Sequence, residues 1–432
     1  MEEGEARSVF ILVEFACGPC EAGLYEIKIQ QGGEVMRPKI LEPEFKFVLP
    51  KFCWFEGARL HNSSKLHLVL NKGLLPRHNL PADDKLGSYR GQIYDTETRS
   101  LETFEPPLAP KPVSYLMSAY GKLYNLASPQ CFRVMPKVLF ERYDSKTDSW
   151  ESLTHFAYSR ERSKMEISGY AVCHGCILVS TYNFRFEFMV FHIDSNTWHQ
   201  VDISRKEAYY SAFRGRAVVV GNSIYALSIQ WGKVIAFSLK MKIGNDGRIT
   251  YSLEEPFFLP GLESRVADST ESGRISRPTE YLVHLGKLEF CLLQSISTDL
   301  DEPQEMFITT FEIVCDDETM HIKTLDSSVC DFHIGHSGTL RICFSFMPKC
   351  EDFEPEEEES FRLAHKKGRA KKNNALDGFI SMIKSSKRVL QKWPPKYELR
   401  RLAAAFHPLP VCVQVMVFVF VVYFLYKQIS IY

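Results

Sequence analysis

The stretch Arg142-Tyr143-Asp144-Ser145-Lys146-Thr147-Asp148-Ser149-Trp150 decides the fold, because related stretches occur on both sides of it. Ile93-Tyr94-Asp95-Thr96-Glu97-Thr98 precedes it, and His192-Ile193-Asp194-Ser195-Asn196-Thr197 follows it. Asp95, Asp144 and Asp194 are 49 and then 50 residues apart, and Trp198 follows the third copy as Trp150 follows the second. Self-similarity at such an interval predicts a repeat architecture, in which each copy belongs to one small supersecondary unit.

Tight turns form a second repeated pattern between these copies. Gly121, Gly175 and Gly286 each lie between two short apolar runs, as do Ser64, Asn222 and Gly338 in related positions. Gly and Asn accept the positive φ that a tight β-hairpin requires. Units of about 50 residues made of short strands and such turns are typical of β-propeller blades.

These patterns predict an all-β fold over residues 5–348, a β-propeller of six or seven blades. One twisted sheet cannot cover both of its faces, so we expect Trp150 and Trp198 to fill the wedge between neighbouring blades. We expect the repeated aspartates to accept hydrogen bonds from backbone N–H groups of their turns. The same segments also allow an irregular β-sandwich with coincidental spacing.

The combined pattern, Gly-Lys-Leu-Tyr followed by Tyr-Asp-x-x-Thr and Trp, resembles the kelch repeat and is most complete in residues 121–153. The resemblance extends over about residues 5–345. Kelch units usually carry a Gly-Gly doublet after the second strand, where this chain has Leu126-Ala127-Ser128 and Val179-Ser180-Thr181. The chain therefore looks like the divergent kelch proteins of plants. The wider family includes substrate receptors of ubiquitin ligases and copper oxidases of the galactose-oxidase type.

Charge is strongly segregated in residues 349–408. An acidic run at 351–359 is followed, between Arg362 and Ala404, by thirteen Lys or Arg against Asp377 and Glu398. Apolar residues near helical spacing predict amphipathic helices in the basic part. We expect a solvated linker whose basic helices lie on anionic lipid headgroups or dock on the propeller rim.

The C-terminal residues 409–427 predict a transmembrane helix. Residues 409–426 contain no charge, and eighteen helical residues span roughly 27 Å, enough for a thin bilayer. The basic stretch before this run predicts a tail anchor with the propeller in the cytosol. If the run is instead a buried strand, we expect a cytoplasmic or nuclear protein. The membrane-facing residues of the predicted span are Val411, Val415, Phe418, Phe420, Val422 and Phe424.

Little in the sequence indicates catalysis. Cys17-Gly-Pro-Cys20 and Cys173-His-Gly-Cys176 have a spacing that zinc sites use, but they fall in distant blades. We therefore expect no metal, no cofactor and no catalytic residue. The N-terminus is acidic, and Glu14 interrupts a short apolar run, so we expect no export signal and no disulfide bonds.

The function predicted from these features is a non-enzymatic scaffold with a protein partner on one propeller face. The formal net charge of −1 does not favour nucleic acid. An adaptor of a ubiquitin ligase is the first alternative, although strand-like sequence begins at Val9 with no F-box before it. An oxidase of the galactose-oxidase type is the third possibility.

Overall fold

The structure is a computed structural model that describes residues 6–15, 21–36, 40–49, 53–60, 63–72, 90–109, 111, 113–128, 138–155, 166–183, 185–203, 212–229, 233–244, 248–262, 279–296, 304–315, 319–332 and 340–348. The regular elements among these residues are all β-strands, which confirms the prediction of an all-β fold. The predicted linker at 349–408, the predicted membrane span at 409–427 and the pair Cys17 and Cys20 lie outside the described residues.

Most of the described strands pair with the strand that precedes or follows them in the chain. They are β1 (Arg7–Phe15), β2 (Glu21–Ile29), β3 (Ile40–Leu41), β4 (Pro43–Val48), β5 (Cys53–Arg59), β6 (Lys65–Lys72), β7 (Gly91–Asp95), β8 (Ser100–Phe104), β9 (Ser114–Ala119), β10 (Lys122–Ala127), β11 (Phe140–Asp144), β12 (Ser149–Ser152), β13 (Glu166–Cys173), β14 (Cys176–Asn183), β15 (Arg185–His192), β16 (Thr197–Ile203), β17 (Phe213–Val220), β18 (Ser223–Ser228), β19 (Val234–Phe237), β20 (Leu239–Ile243), β21 (Ile249–Leu253), β22 (Phe257–Phe258), β23 (Thr279–Gly286), β24 (Glu289–Ile296), β25 (Gln304–Cys315), β26 (Met320–Phe332) and β27 (Leu340–Phe346).

Antiparallel pairing arranges 24 of these 27 strands in six four-stranded units, while β3 pairs with β26 and the hairpin of β20 and β21 pairs with β16. Unit I is β5-β6-β7-β8, unit II is β9-β10-β11-β12, and unit III is β13-β14-β15-β16. Unit IV is β17-β18-β19-β22, unit V is β23-β24-β25-β26, and unit VI is β27-β1-β2-β4. Units III and IV belong to one ten-stranded sheet because β13 and β17 pair in parallel. We call β5, β9, β13, β17, β23 and β27, one from each unit, the inner strands.

Unit VI joins the two ends of the described chain. β1 pairs along one side with β2 and along the other with β27, so that Phe10 lies opposite Phe346. The apolar run Val9–Val13 that forms β1 is buried on both faces of the strand. Gly338, one of the predicted turn residues, lies outside the described residues, and Leu340 after it begins an inner strand, whereas Leu123 and Ile177 lie in the second strands of their units.

The hydrophobic core lies mainly between neighbouring units. Apolar residues of units I and II, such as Val69 and Leu123, form one cluster. Met117 of unit II and Phe191 of unit III belong to the next cluster. Further clusters join units III and IV, and units IV and V. Because each face of a unit is apolar, burial of these faces requires a neighbour on each side.

Polar contacts also join neighbouring units through their inner strands. The Ser114 hydroxyl of unit II donates to Asn71 Oδ1 of unit I, 2.9 Å away, and Tyr115 donates to the carbonyl oxygen of Ile167 in unit III. The remaining contacts are the parallel pair Gly169 and Gly215, the ion pair of Arg214 with Glu280, the hydrogen bond from the Ile342 N–H to Thr279 Oγ1, and the ion pair of Arg341 with Glu56.

Candidate functional site

The repeated aspartates Asp95 and Asp144 stabilise the turns that follow them. Asp95 Oδ1 accepts the backbone N–H of Glu97 at 2.9 Å, and Asp144 Oδ1 accepts that of Lys146 at 2.9 Å. A short acceptor side chain can reach the amide two residues on, which explains why this residue type recurs. These two predicted residues therefore have a structural role.

Asp194 does not occupy the equivalent position in the third turn, contrary to the alignment of the three copies. Strand pairing sets Asp144 opposite Ser149, and it sets His192 opposite Thr197. His192 Nδ1 lies 2.9 Å from Ser195 Oγ, inside the turn, while Asp194 is exposed. Strand pairing determines which residue faces the turn, and here it differs from the alignment of the three sequence copies.

Trp150 and Trp198 each donate a hydrogen bond to the segment before their own unit. Trp150 Nε1 donates to the carbonyl oxygen of Glu105 in unit I, at 2.8 Å. Trp198 Nε1 donates to the carbonyl oxygen of Thr154, after unit II, at the same distance. Trp150 is buried, so its N–H needs such an acceptor, whereas Trp198 is half-buried.

Gly121, Gly175 and Gly286 lie in the tight turns between the first two strands of units II, III and V. Their φ angles are +70°, +72° and +117°, a region that favours glycine. The Gly175 N–H donates to the Tyr120 hydroxyl of the neighbouring turn, at 2.6 Å. These turns therefore lie at one end of the inner strands and contact one another between units.

The second predicted cysteine pair is part of the core. Cys173 and Cys176 lie opposite each other across the turn, and both are buried. Burial raises the pKa of Cys176 to about 12, which keeps it a thiol and a poor metal ligand or nucleophile. Among the described cysteines none forms a disulfide, and the described residues contain no group of three His, Cys, Asp or Glu side chains placed to hold a metal ion.

A partly exposed arginine and two more deeply buried carboxylates form a charged cluster that joins unit VI to unit I. Arg341 Nη2 lies 3.0 Å from Glu56 Oε1, and Arg341 Nη1 lies 3.6 Å from Glu14 Oε2. Burial raises the pKa of Glu56 to about 7 and also raises that of Glu14, although Arg341 opposes both shifts. The cationic charge is matched by carboxylates here, so this cluster serves to hold the two units together.

A second group of cationic side chains lines a small open cleft between four inner strands. The cleft is open to solvent, and its interior volume of about 20 Å³ is little more than a water molecule needs. Its lining comes from β5, β17, β23 and β27 or the residue after it, and consists of Arg59, Arg216, Val218, Leu282, Val283, His284, Ser345, Phe346 and Met347. The charged side chains among these described lining residues are the two arginines, and neither Asp nor Glu is present.

Packing holds Arg59 in a defined position in this cleft. Its side chain is nearly inaccessible, its Nη1 donates to the carbonyl oxygen of Pro348, and its guanidinium carbon lies 5.7 Å from the Phe346 ring centre. His284 Nε2 lies 2.9 Å from the carbonyl oxygen of Lys287, to which it donates. Arg59 and His284 are therefore oriented in advance of any binding.

The cationic cleft has no signature in the sequence. Arg59 and Arg216 are 157 residues apart, and each is an ordinary charged residue within a strand. They share a cleft because the inner strands of units I and IV converge with those of units V and VI. Only the order of the units around that point brings them together, and spacing along the chain does not reveal this order.

Exposed apolar side chains lie at the ends of the units opposite the tight turns. Val48 pairs with Glu21 at the start of β2, and Tyr182 pairs with Glu166 at the start of β13. Val48 is 86% exposed and Tyr182 is 46% exposed. Large apolar side chains that remain exposed at one end of a rigid scaffold are candidates for contact with another molecule.

Comparison with known proteins adds little to this geometry. No family model matches the chain, and no curated protein matches it. Among solved structures, one similar chain is from Bacteroides uniformis and bears the name "putative 6-phosphogluconolactonase". It has 14% sequence identity and a TM-score of 0.36, with 75% of this chain and 82% of that chain covered. A likeness this weak carries no argument about fold or function.

The predicted membrane span is not among the described residues. Within the ranges that the structure describes, no helix combines the length and the apolar character needed to cross a bilayer.

Proposed function

We propose that the six units are the blades of a closed six-bladed β-propeller. The support is a cyclic series of contacts, in which each unit touches the next and unit VI touches both unit V and unit I. Tyr281 of unit V packs against Phe344 of unit VI, with ring centres 5.8 Å apart. Phe344 is also the side chain that a Cβ on Gly57 of unit I would meet at 3.0 Å. Pairing of β1 with β27 would then close the ring with the two ends of the chain, which leaves no open edge between the first and last blades.

In this proposal all six inner strands run in the same direction. The parallel register of Gly169 with Gly215 supports this for units III and IV. Arg214 and Glu280 lie near the starts of β17 and β23, whereas Arg59 and Pro348 lie at or just beyond the ends of β5 and β27. The disc would therefore have two distinct faces, which we name the turn face, with Gly121 and Gly175, and the partner face, with Val48 and Tyr182.

The kelch-like character of the blades is part of the same proposal. Three successive hairpins share a residue of positive φ before their last strand, at Arg99, Asp148 and Asn196. Each also carries a hydroxyl pair across that residue, 2.7, 2.7 and 2.6 Å between the oxygens. Together with the equivalent hydrogen bonds of the two tryptophans, this recurrence favours a common repeat over coincidental spacing.

The function that the geometry supports best is a non-enzymatic scaffold that binds another protein on the partner face. The observation that carries this proposal is the exposure of Tyr182 on β14 and Val48 on β4, each at the end of its unit where the inner strand begins. Binding residues are commonly placed at the ends of the strands of a rigid scaffold.

Two variants with matched exposure test the partner face. In the full-length protein, Tyr182→Ser with Val48→Ser is compared with Leu101→Ser, because Leu101 is 44% exposed at the turn-face end of β8. Partners co-purified with each variant are quantified by mass spectrometry. We expect at least a tenfold loss of one partner with the first variant and none with the second. Equal retention by both variants would contradict the proposal, and recovery of cullin-type ligase subunits would favour the adaptor function.

A membrane tether at residues 409–427 completes the proposed organisation. Its support is the uncharged run of residues 409–426 after a basic stretch. We expect the full-length protein to remain in the membrane pellet after an alkaline wash, and a chain truncated at His407 to be released. Release of both proteins would exclude the anchor and leave a cytoplasmic or nuclear location.

A further inference from the structure

From the charged cluster between units VI and I we infer a pH-sensitive contact: uptake of one proton tightens the junction of these two units. Glu14 on β1 and Glu56 on β5 each contribute a carboxylate, and Arg341 on β27 contributes the guanidinium. Two carboxylates share one cation, so the fully ionised cluster carries one excess negative charge. Binding of a proton cancels this charge, and its release restores repulsion across the junction.

The contacts of the two carboxylates cross from one unit to the other. Glu14 Oε1 accepts the backbone N–H of Phe55, and Glu14 Oε2 lies 3.6 Å from Arg341 Nη1. Glu56 Oε1 lies 3.0 Å from Arg341 Nη2. The side chains of Glu14 and Glu56 are only 7% and 14% exposed, so water screens their repulsion weakly. Arg341 is 40% exposed, and solvent weakens its attraction for both carboxylates.

Unit VI supplies no second cation directly opposite Glu14 in the part that the structure describes. Strand pairing places Ala22 of β2 opposite Glu14, and Phe47 of β4 opposite Ala22. The other titratable group that acts on Glu14 is Cys343 of β27. Burial raises the pKa of Cys343 well above its ordinary value, so it remains a neutral thiol.

The described residues of unit I directly beside Glu56 are uncharged. On β5, the ring centre of Trp54 lies 5.8 Å from the guanidinium carbon of Arg341, and Val69 of β6 lies opposite Glu56. β9 packs against β5 and contains no Asp, Glu, Lys, Arg or His, while its Tyr115 donates a hydrogen bond to unit III. The charges that act on Glu56 are therefore those of Arg341 and Glu14.

The sign of the pH dependence follows from the burial of the carboxylates. Burial raises the pKa of Glu56 from 4.5 to about 7, Arg341 opposes this shift, and the charge of Glu14 adds to it. Burial raises the pKa of Glu14 as well. Between these values the closed junction holds a proton that a solvated carboxylate releases. The junction is therefore strongest below this window and weakens as the pH increases through about 7.

Apolar contacts at the same junction depend on its closure. Phe47 of unit VI packs against Phe55 of unit I, with ring centres 5.4 Å apart. Val48 of the partner face follows Phe47, so opening of the junction would also displace one residue of the proposed protein site. This effect on Val48 rests on the proposed function, whereas the proton-dependent junction does not.

Hydrogen–deuterium exchange of the full-length protein, read by mass spectrometry at intervals from pH 6.0 to pH 8.0, tests the inference. After correction for intrinsic exchange, we expect about tenfold less protection of the β1, β5 and β27 amides at pH 8.0 than at pH 6.0. The reason is that a carboxyl with a pKa of about 7 loses most of its proton over this interval. Glu56→Gln should abolish most of this difference, because an amide does not titrate. Glu151→Gln, which removes an exposed carboxylate beside Arg142 in unit II, is the matched control and should retain it.

An equal pH dependence in the parent and Glu56→Gln, or protection that increases with pH in the parent, would overturn the inference. Should Glu56→Gln not fold, Glu14→Gln takes its place, since its amide oxygen still accepts from Phe55. Loss of the neighbouring charge lowers the pKa of Glu56, so the change in protection should move below pH 7. A change that stays at pH 7 would count against the shared cation. The Tyr182→Ser, Val48→Ser chain should retain the full pH dependence, so failure of this test and failure of the proposed protein site are distinguishable.

Discussion

The indole nitrogen of Trp150 donates to the carbonyl oxygen of Glu105 in the preceding unit, 2.8 Å away. The same relationship recurs between Trp198 and Thr154 one unit later. Both tryptophans donate one directional hydrogen bond to the segment before their own unit, and Trp150 is also buried. In a repeat protein, a constant rotation between successive units requires a similar contact geometry at each junction.

Replacement of Trp150 by Phe tests this contact. The variant retains an aromatic ring but removes the indole N–H and leaves the Glu105 carbonyl without that donor. We expect a loss of about 1–3 kcal/mol in the free energy of unfolding, measured by urea denaturation. Trp198→Phe should lose less, since Trp198 is half-buried and water can replace its exposed hydrogen bond. Parent-like stability of both variants would show that the hydrogen bonds do not orient the units.

Variants in the repeated turns test whether strand pairing or sequence similarity identifies the equivalent positions. Asp95→Ala and Asp144→Ala remove acceptors of backbone N–H groups, so each should cost about 1 kcal/mol in unfolding free energy. Asp194→Ala is the matched control, because Asp194 is exposed and does not occupy the capping position. We expect it to be neutral and His192→Ala to be destabilising. A loss with Asp194→Ala comparable to that with Asp144→Ala would contradict the observed register.

These turns show how much of the fold is readable from the sequence. The spacing of Asp95 and Asp144, with Trp150 after the second, predicts strands, hairpins and contacts between units, because each depends on residues close together in the chain. The role of His192 is not predicted, because Asp194 matches the other two copies better in amino-acid type. Only strand pairing shows that the equivalent position lies two residues earlier, at His192. Arg59 and Arg216 are invisible for a different reason: the units that carry them meet only through the long-range order of the fold.

His67 makes the stability of unit I dependent on pH. It is buried beside Phe104, and burial lowers its pKa from 6.5 to about 4. Between these values the unfolded chain binds a proton that the folded chain does not, so stability falls as the pH decreases from about 6.5 to about 4. The difference in unfolding free energy between pH 7.5 and pH 4.5 should be smaller in His67→Leu by about 2 kcal/mol.

Urea denaturation of both proteins at the two pH values measures this difference. His155→Gln, at an exposed position, is the control and should behave as the parent does. An unchanged pH dependence in His67→Leu would mean that other groups account for the acid sensitivity.

Lys111 and Glu141 form an ion pair that is almost completely inaccessible, with side-chain exposures of 1% and 0%. Asn125 and the backbone N–H of Leu108 also donate to the Glu141 carboxylate. Lys111→Met should cost about 3–5 kcal/mol, because it leaves a buried carboxylate without its counter-ion. The double variant Lys111→Met, Glu141→Gln should recover part of that loss, since it removes the buried negative charge and its amide oxygen still accepts from one of the two neutral donors, which bind different carboxylate oxygens in the parent. Equal destabilisation of the single and double variants in urea denaturation would contradict this explanation.

Closure of the six units into one ring is the central claim, and three distances test it directly. Glu97 and Asp194 are exposed residues in the turns between the third and fourth strands of units I and III, and Thr319 is exposed directly before β26, the fourth strand of unit V. In a closed ring of six blades these alternate units form an equilateral triangle. Spin labels attached in pairs through non-canonical amino acids at these positions should give three similar distances by double electron–electron resonance. A distance from Glu97 to Thr319 much longer than the other two would contradict closure and indicate an open arrangement of sheets.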